Sequence, residues 1–477
     1  MLWAGDMIRR KSMKKKLLSA IMCTAMVATM LTGCGGSTAA TNDTGDEAAE
    51  ETADAEAEAV TTVGDPNGTK MDMWSFVELH NTYYGKMVEK WNEQNPDRTI
   101  EVTFTTYPYS DMHTKLLMAL QTGEGAPDIC DVEVGQFPNV VAGVDQWLYP
   151  LDDAAAQYMP TMVQSRMDTY AGADGKHYGA PFHVGAFVMY YNLAVLEEAG
   201  LTQADVDAVK TWDDYTELGN KYLDAIGRPE GKYFTSVDTA GVDWEWIAMA
   251  EYGEDWTGGF DGKANVELES VKKMLNMQVD WLNTGVAQVS PDGHVDLEAG
   301  YQNILDHNIV SFPKAMWYMS RFTNYMPEEK GNWYIAPCPV FEEGQPNSVG
   351  VGGTGTVVTQ QAEDKELAAD FLCFAKMSME GEQMIWEDLG FDVCNTEMWT
   401  DEAIIHDDSN QYNSFFRNYP YDVLNEIKDG IGMISVVAIS PTINEDMCNV
   451  TLNSILEGGV SVDEALATSQ ATIDLEQ

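Results

Sequence analysis

Four acids are placed to do acid–base chemistry: Glu78, Asp131, Glu133 and Glu245. Hydrolysis of a glycosidic bond needs two carboxylates, one to protonate the leaving oxygen and one to attack or to activate water. These four supply enough for a pair at either separation that such chemistry uses. The same residue types also suit binding without reaction, since carboxylates accept from hydroxyls and indoles cover CH faces. Trp244, Trp246 and Trp256 crowd into Val242–Trp256, and one pair of them could stack a ligand. Alternate residues of a helix cannot all face one way, so part of that set belongs to a core. Lys314, Trp317, Tyr318 and Arg321 open a further helix that could rim a cleft, with Arg321 reaching either a ligand or a neighbouring acid. His183 stands beside Pro181 at the entrance to a strand, as a site residue or as a satisfied structural histidine. Signatures of zinc proteases, phosphate-binding loops and serine hydrolases are missing from the chain.

Two patterns that could suggest other chemistry are set aside. Gly350, Gly352 and Gly355 make a formal G-x-G-x-x-G, but Thr356 to Thr359 continues as a strand where a dinucleotide site needs a helix. Glycines beside a β-branched run fit a crossing strand where backbones approach closely. Cys130, Cys338, Cys373, Cys394 and Cys448 are an odd number without C-x-x-C spacing, which argues against a disulfide framework or a zinc finger and leaves room for one bridge. No cofactor and no metal are expected.

The elements that must position these groups are legible from periodicity. Lys70 to Ser75 predicts a strand, and Tyr83, Met87 and Trp91 share one face of a helix that ends before Asn95-Pro96. Ile100, Val102 and Phe104 alternate as a second strand. Ser110 is expected to cap a helix carrying Met112, Leu116, Leu117 and Leu120, and Pro127 to Val132 is a third strand. This β-α-β-α-β order predicts a parallel sheet, whose ligands gather beyond the carboxyl ends of the strands. Phe76–His80 and Glu133–Phe137 are therefore the loops to watch. Phe187–Tyr191 is apolar on both faces, as an interior strand must be, and Asn192 and Gly200 cap the helix after it. We expect it to leave one lobe, cross a cleft and start another. Thr211 with Asp214 forms a capping box for a helix whose Trp212, Tyr215, Leu218 and Tyr222 read as core. Ile309–Phe312 predicts a strand, and Leu367, Phe371, Leu372 and Ala375 an ordinary amphipathic helix.

Bulk properties set the class. A chain of 477 residues exceeds one core, so two lobes are expected. With 27 basic against 77 acidic residues the formal charge is −50, which excludes nucleic-acid binding and disfavours anionic ligands. Arg9 to Lys16 is basic and Leu17 to Leu31 apolar but too short to span a membrane, so residues 1–33 read as a signal peptide. Leu31-Thr32-Gly33-Cys34 resembles a lipobox, implying a lipid on Cys34 and a membrane anchor at the extracellular face. The alternative is an ordinary secretion signal with a chance cysteine. Residues 34–69, acidic and without Lys or Arg up to Thr69, read as a disordered tether.

WSFVELH, YSDMHTKLLMALQTGEGAPDI, the Gly179–Gly200 stretch, TWDDY and GTGTVVT followed by KELAADFL together resemble family 1 extracellular solute-binding proteins of ABC importers. WSFVELHNTYY, NEQNPDR and GAPFHVGAFVMYYN are particularly similar to arabino-oligosaccharide-binding lipoproteins of Gram-positive bacteria. The resemblance covers roughly residues 70–465. It implies a two-lobed α/β fold of the periplasmic-binding-protein type (class II), each lobe a mainly parallel sheet flanked by helices. Lobe 1 would hold residues 70–183 and about 355–432, and lobe 2 residues 188–350 and about 436–477. Crossing segments would lie near 184–190, 349–358 and 434–440. It further implies a monomeric binder, not an enzyme, that closes on an oligosaccharide and presents it to ABC permease subunits. Matching site-forming segments selects Trp74, Glu78, His80, Asp131, Glu133, Gln136, Phe137, His183, Trp244, Trp246, Trp317 and Arg321 as ligand-binding residues. Gly185 stands where some maltodextrin-binding relatives carry a carboxylate, so a different hydrogen-bond pattern is expected. A sugar-sensing subunit for a membrane receptor and an extracellular glycosidase are the alternative readings.

Overall fold

The computed structural model describes residues 57, 59–258 and 262–476, as one compact unit of the chain. The expected signal peptide, Cys34 and most of the tether lie outside the described residues. The strands run in chain order as β1 (Ala59–Gly64), β2 (Thr69–Ser75), β3 (Ile100–Thr106), β4 (Ile129–Glu133), β5 (Leu148–Tyr149), β6 (Gly179–Pro181) and β7 (Phe187–Asn192). They continue as β8 (Thr235–Val237), β9 (Ala287–Val289), β10 (Ser311–Ala315), β11 (Trp333–Ala336), β12 (Ser348–Gly350), β13 (Thr354–Thr359) and β14 (Ile431–Met433).

The first lobe is built on the predicted parallel unit. β2 lies between β3 and β4 and is parallel to both, with the helices Glu78–Gln94 and Tyr109–Thr122 as the crossovers. β13 returns from far along the chain to pair antiparallel with β4, and β5 and β6 pair with β13. The sheet is thus mixed at its later edge. Ser110 does not cap the second helix: the N-cap is Pro108 without a side-chain bond, and Ser110 sits inside the first turn.

β1 corrects the tether, which was expected to run to Thr69. Its six residues pair antiparallel with β3, from Ala59 opposite Thr106 to Gly64 opposite Glu101. Composition argued against order because the segment buries little side-chain surface; the edge of β3 supplies a full backbone ladder instead. Asp65 then closes the turn, its carboxylate accepting from the Asn67 amide at 2.9 Å and from Thr99 Oγ1 at 3.0 Å.

The second lobe centres on β7, buried along its whole length between antiparallel β10 and β11. Asn192 caps the following helix through Val195 N at 3.2 Å, and Gly200 takes the left-handed conformation at φ +85°. The Thr211–Asp214 capping box forms, and Trp212, Tyr215, Leu218 and Tyr222 are core. The strand expected at 309–312 runs later, through Pro313 and Lys314. Proline is tolerated there because β10 is an edge strand. The expected helix start at Lys314 therefore shifts to Met319–Tyr325, after a single turn at Met316–Tyr318.

Three backbone segments at or beside the expected crossings lie side by side. Ala186 bridges Gly350, Val351 N donates to Gly185 O at 3.1 Å, and β12 pairs parallel with β14. The third of these contacts falls at 431–433, just ahead of the expected 434–440. Gly185 has φ +76°, and a Cβ there would collide with Val351 O, so only glycine lets the first two strands approach so closely. The five cysteines from Cys130 onward are free thiols.

Candidate ligand-binding site

A cavity of about 380 Å³ opens where the loop after β4 faces the second lobe across the crossing segments. The carboxyl end of a parallel strand is where the topology places ligands, and Glu133 ends β4 there. Its Oε2 accepts from Gly135 N at 2.7 Å and from Tyr109 Oη at 3.0 Å. Burial raises Glu133 above the ordinary carboxylate value, and those two bonds together with nearby Arg166 restrain the rise. Burial and the Glu133 carboxylate push the Tyr109 phenol up, so it remains a donor. His113 completes the support: it accepts from Glu133 N at 3.1 Å and bonds Tyr109 O at 2.7 Å. Burial drives His113 down to about 4, so it is neutral, with the proton on Nδ1.

The opposite wall is aromatic and amide-bearing. Trp246 projects from the helix Asp243–Tyr252, and Trp256 follows it. Asp255 pins the third crossing segment, taking Ser435 N at 2.8 Å, and so sets Ile434–Val436 along the cavity. The helix Ser440–Asp446 adds Ser440, Asn444 and Glu445. Asn444 Oδ1 is buried and has no hydrogen-bond partner among the described residues. It is sealed from solvent, a buried acceptor still to be satisfied on a residue of the cavity wall.

Of the expected site residues, Glu133, Gln136 and Trp246 line this cavity. Trp317 lies next to it, its Nε1 3.5 Å from where a Cβ on the wall residue Gly352 would stand. Arg321 is not among the residues lining the cavity. It pairs with Asp296, Nε to Oδ1 at 3.0 Å and Nη2 to Oδ2 at 3.4 Å, and its guanidinium lies 5.1 Å from the Trp317 ring centre. That geometry holds the indole from one side.

The rest lie elsewhere. Trp74 is buried in the first lobe, edge-on to Tyr107 at 5.2 Å with Lys115 Nζ 5.6 Å from its ring. Glu78 is exposed, beside a separate hollow near β1. His80 and Asp131 form a sealed pair, Nδ1 to Oδ2 at 2.9 Å, and Asp131 Oδ1 also accepts from Thr356 at 2.7 Å and Tyr84 at 3.1 Å. Burial alone would raise Asp131, but the hydrogen bond and charge of His80, with Lys376 behind them, hold it below the ordinary range. Phe137 packs edge-on against Tyr170 at 5.1 Å. Trp244 is wedged between Trp212 and Trp281, ring centres 5.7 and 5.3 Å away, because two residues along the helix from Trp246 is the opposite side. His183 is buried against Phe391, and burial and Arg166 push it well below its ordinary value. It is therefore neutral, and its 3.8 Å approach to Asp392 is no ion pair.

Tyr109, Arg166, Trp256, Asn444 and Glu445 line the cavity without having been singled out as ligand-binding. Tyr109 and Trp256 carried a signal, the first before an expected helix and the second in the tryptophan-dense passage. Arg166, Asn444 and Glu445 carried none, since only the fold brings them here. Elsewhere Asp238, Asp243 and His294 cluster with ligand atoms within 4.8 Å of one another. Lys314 Nζ bonds Asp243 and reaches His294 Nε2 at 3.2 Å, so an ammonium group already sits in that cluster and offsets one of its two carboxylates.

The model of the bacterial extracellular solute-binding protein family matches residues 78–376. The arabinooligosaccharide-binding protein of Halalkalibacterium halodurans is 36% identical over 424 residues, 88% of this chain and 92% of that protein. The arabinooligosaccharide-binding protein of Bacillus subtilis is 36% identical over 375 residues, 78% and 84% of the two chains. Among solved structures, the sugar-binding protein MalE of Xanthomonas citri superposes with a TM-score of 0.70 at 18% identity, covering 85% of this chain and 96% of that one. The cyclic alpha-maltosyl-1,6-maltose binding protein of Arthrobacter globiformis does so with 0.68 at 18%, covering 86% and 99%. These two likenesses establish the two-lobed fold, and with the family match over more than half of the chain they lead to one conclusion: the chain belongs to the bacterial extracellular solute-binding proteins.

Proposed function

We propose that this protein captures a neutral oligosaccharide, an arabino-oligosaccharide or a close relative, and delivers it to the permease of an ABC importer by closing its lobes. The observation that carries the reading is the cavity wall, which brings Trp246 together with the carboxylates of Glu133 and Glu445 and the amide of Asn444. Indoles cover the CH faces of a sugar, and acceptors take its hydroxyls. The relatives named for arabino-oligosaccharide binding support the choice of sugar. Glu133, Gln136, Trp246 and Trp317 are the binding residues we carry forward from the sequence. The lipobox at Cys34 supports a lipid anchor that keeps the protein at the extracellular face.

The acids that could have served a glycosidase are not assembled. Asp131 is sealed by three hydrogen-bonded neighbours, Glu245 is buried against Gln278, and Glu78 lies outside the cavity. Calorimetric titration with arabinose, xylose and glucose oligomers tests the proposal, with reducing ends assayed in the same samples. The expected result is saturable binding of arabino-oligomers with no new reducing ends. Binding of no oligomer, or cleavage of a bound one, would overturn it.

A further inference from the structure

Arg166 is a buried cation without a partner anion. It is 1% exposed, in a protein with 77 acids, yet no described carboxylate lies within 4.0 Å of its guanidinium. Buried charges are ordinarily paired, because desolvation is otherwise uncompensated. The guanidinium instead spends its donors on backbone and phenol. Nε donates to His183 O at 2.9 Å, and Nη2 donates to Tyr170 Oη at 3.1 Å and to Gly352 O. His183 immediately precedes the first crossing segment and Gly352 belongs to the second. The second is moulded around the arginine: Gly352 and Gly353 hold φ +71° and +99°, and a Cβ on Gly353 would collide with Nη2. Nη1 hydrogen-bonds no described residue and is not among the atoms sealed from solvent, while Arg166 forms part of the cavity wall. Nη1 is thus the donor left over on a residue of the cavity wall.

We propose that Arg166 is a ligand-binding residue, donating from Nη1 to an oxygen of the bound neutral sugar while its other nitrogens hold both crossing segments. One planar group would then report occupancy to the two strands about which the lobes move. The inference rests on the proposed function and adds to it a residue and a charge preference. Glu133 and Glu445 share the cavity with this single guanidinium, two of whose three nitrogens are already used, so an acidic sugar meets net repulsion. A lysine cannot replace the group, since one ammonium cannot span two carbonyls and a ligand in a fixed plane.

The test compares the full chain with R166K and R166M, titrated with arabinotriose, xylotriose, maltotriose and digalacturonate. The neutral trisaccharide that binds the parent most tightly is then added to ¹⁵N-arginine-labelled parent, the Arg166 signals being assigned by their absence from R166K. We expect binding of that trisaccharide to weaken tenfold or more in both variants, and the Arg166 side-chain resonances of the parent to shift on saturation. Loss of packing alone would leave those resonances unmoved by sugar, and the signal is read on unmutated protein even if R166M fails to fold. R166K binding within twofold of the parent, unmoved resonances, or tighter binding of digalacturonate than of every neutral sugar would overturn the inference. A parent that binds no oligosaccharide removes the proposed function and this inference together; a parent that binds while R166K binds equally removes only the role of Arg166.

Discussion

Trp244 and Trp246 show how a side chain's role depends on direction more than on type. Both are indoles on one helix turn, but Trp244 is 2% exposed among Trp212 and Trp281, whereas Trp246 reaches the cavity. The place of Glu133 on the cavity wall was legible because a topological rule points at the end of β4. Arg166 and Asn444 were not: nothing in the local sequence marks an arginine whose partners come from positions 183 and 352, or an asparagine that the fold brings to the same cavity. The acids behave likewise: Asp131 and Glu133 sit two apart on β4, but the first is drawn into the His80 and Thr356 network while the second faces the loop. If Trp246 stacks a sugar ring, W246A should weaken binding about tenfold, equivalent to roughly 1.4 kcal/mol. W244A should instead lower the melting temperature, since a fully packed indole costs about 3–5 kcal/mol to truncate. Calorimetry and thermal melts on the two variants separate these outcomes, and equal loss of affinity in both would contradict the assignment.

The helix Asp243–Tyr252 links that wall to the protein's response to pH. It buries two further acids besides Asp243: burial pushes Glu245 up to about 7 and Glu251 up to about 8. Their folded values lie above the ordinary carboxylate value, so the fold favours the protonated form. The stability they give is complete below about pH 4, where the unfolded chain also protonates, and is lost as pH rises through 7 and 8. The melting temperature should therefore climb as pH falls from 8.5 to 6, each group contributing at most about 1.4 kcal/mol per pH unit. Burial explains the preference at Glu245, and Gln278 works against it: its Nε2 donates to Oε1 at 2.7 Å, while its own Oε1 is buried without a partner. A protonated carboxyl or an amide has a donor to offer that oxygen. E245Q should accordingly melt higher than the parent at pH 8 and show a flatter slope; an unchanged slope would contradict the account. At this scale strong periodicity was readable, and the parallel unit, β7 and both capped helices stand where expected. β1 was not readable, because what orders it is the vacant edge of β3 rather than its own side chains.

For the molecule as a whole, the proposed closure would turn on a narrow set of strands. Gly185 against Val351, β12 against β14 and the Arg166 guanidinium between His183 and Gly352 hold the crossing segments together. The cavity lies against these same segments, so a ligand that bridges Glu133 and Trp246 has interactions with both lobes that exist only when they approach. Such a ligand can shift the population toward the closed form by its differential affinity and no further. Small-angle X-ray scattering of the protein with and without the arabino-oligomer found to bind it tests this most directly. The account predicts a smaller radius of gyration at saturation, returning to its starting value when the sugar is removed; an unchanged radius with sugar demonstrably bound would contradict it.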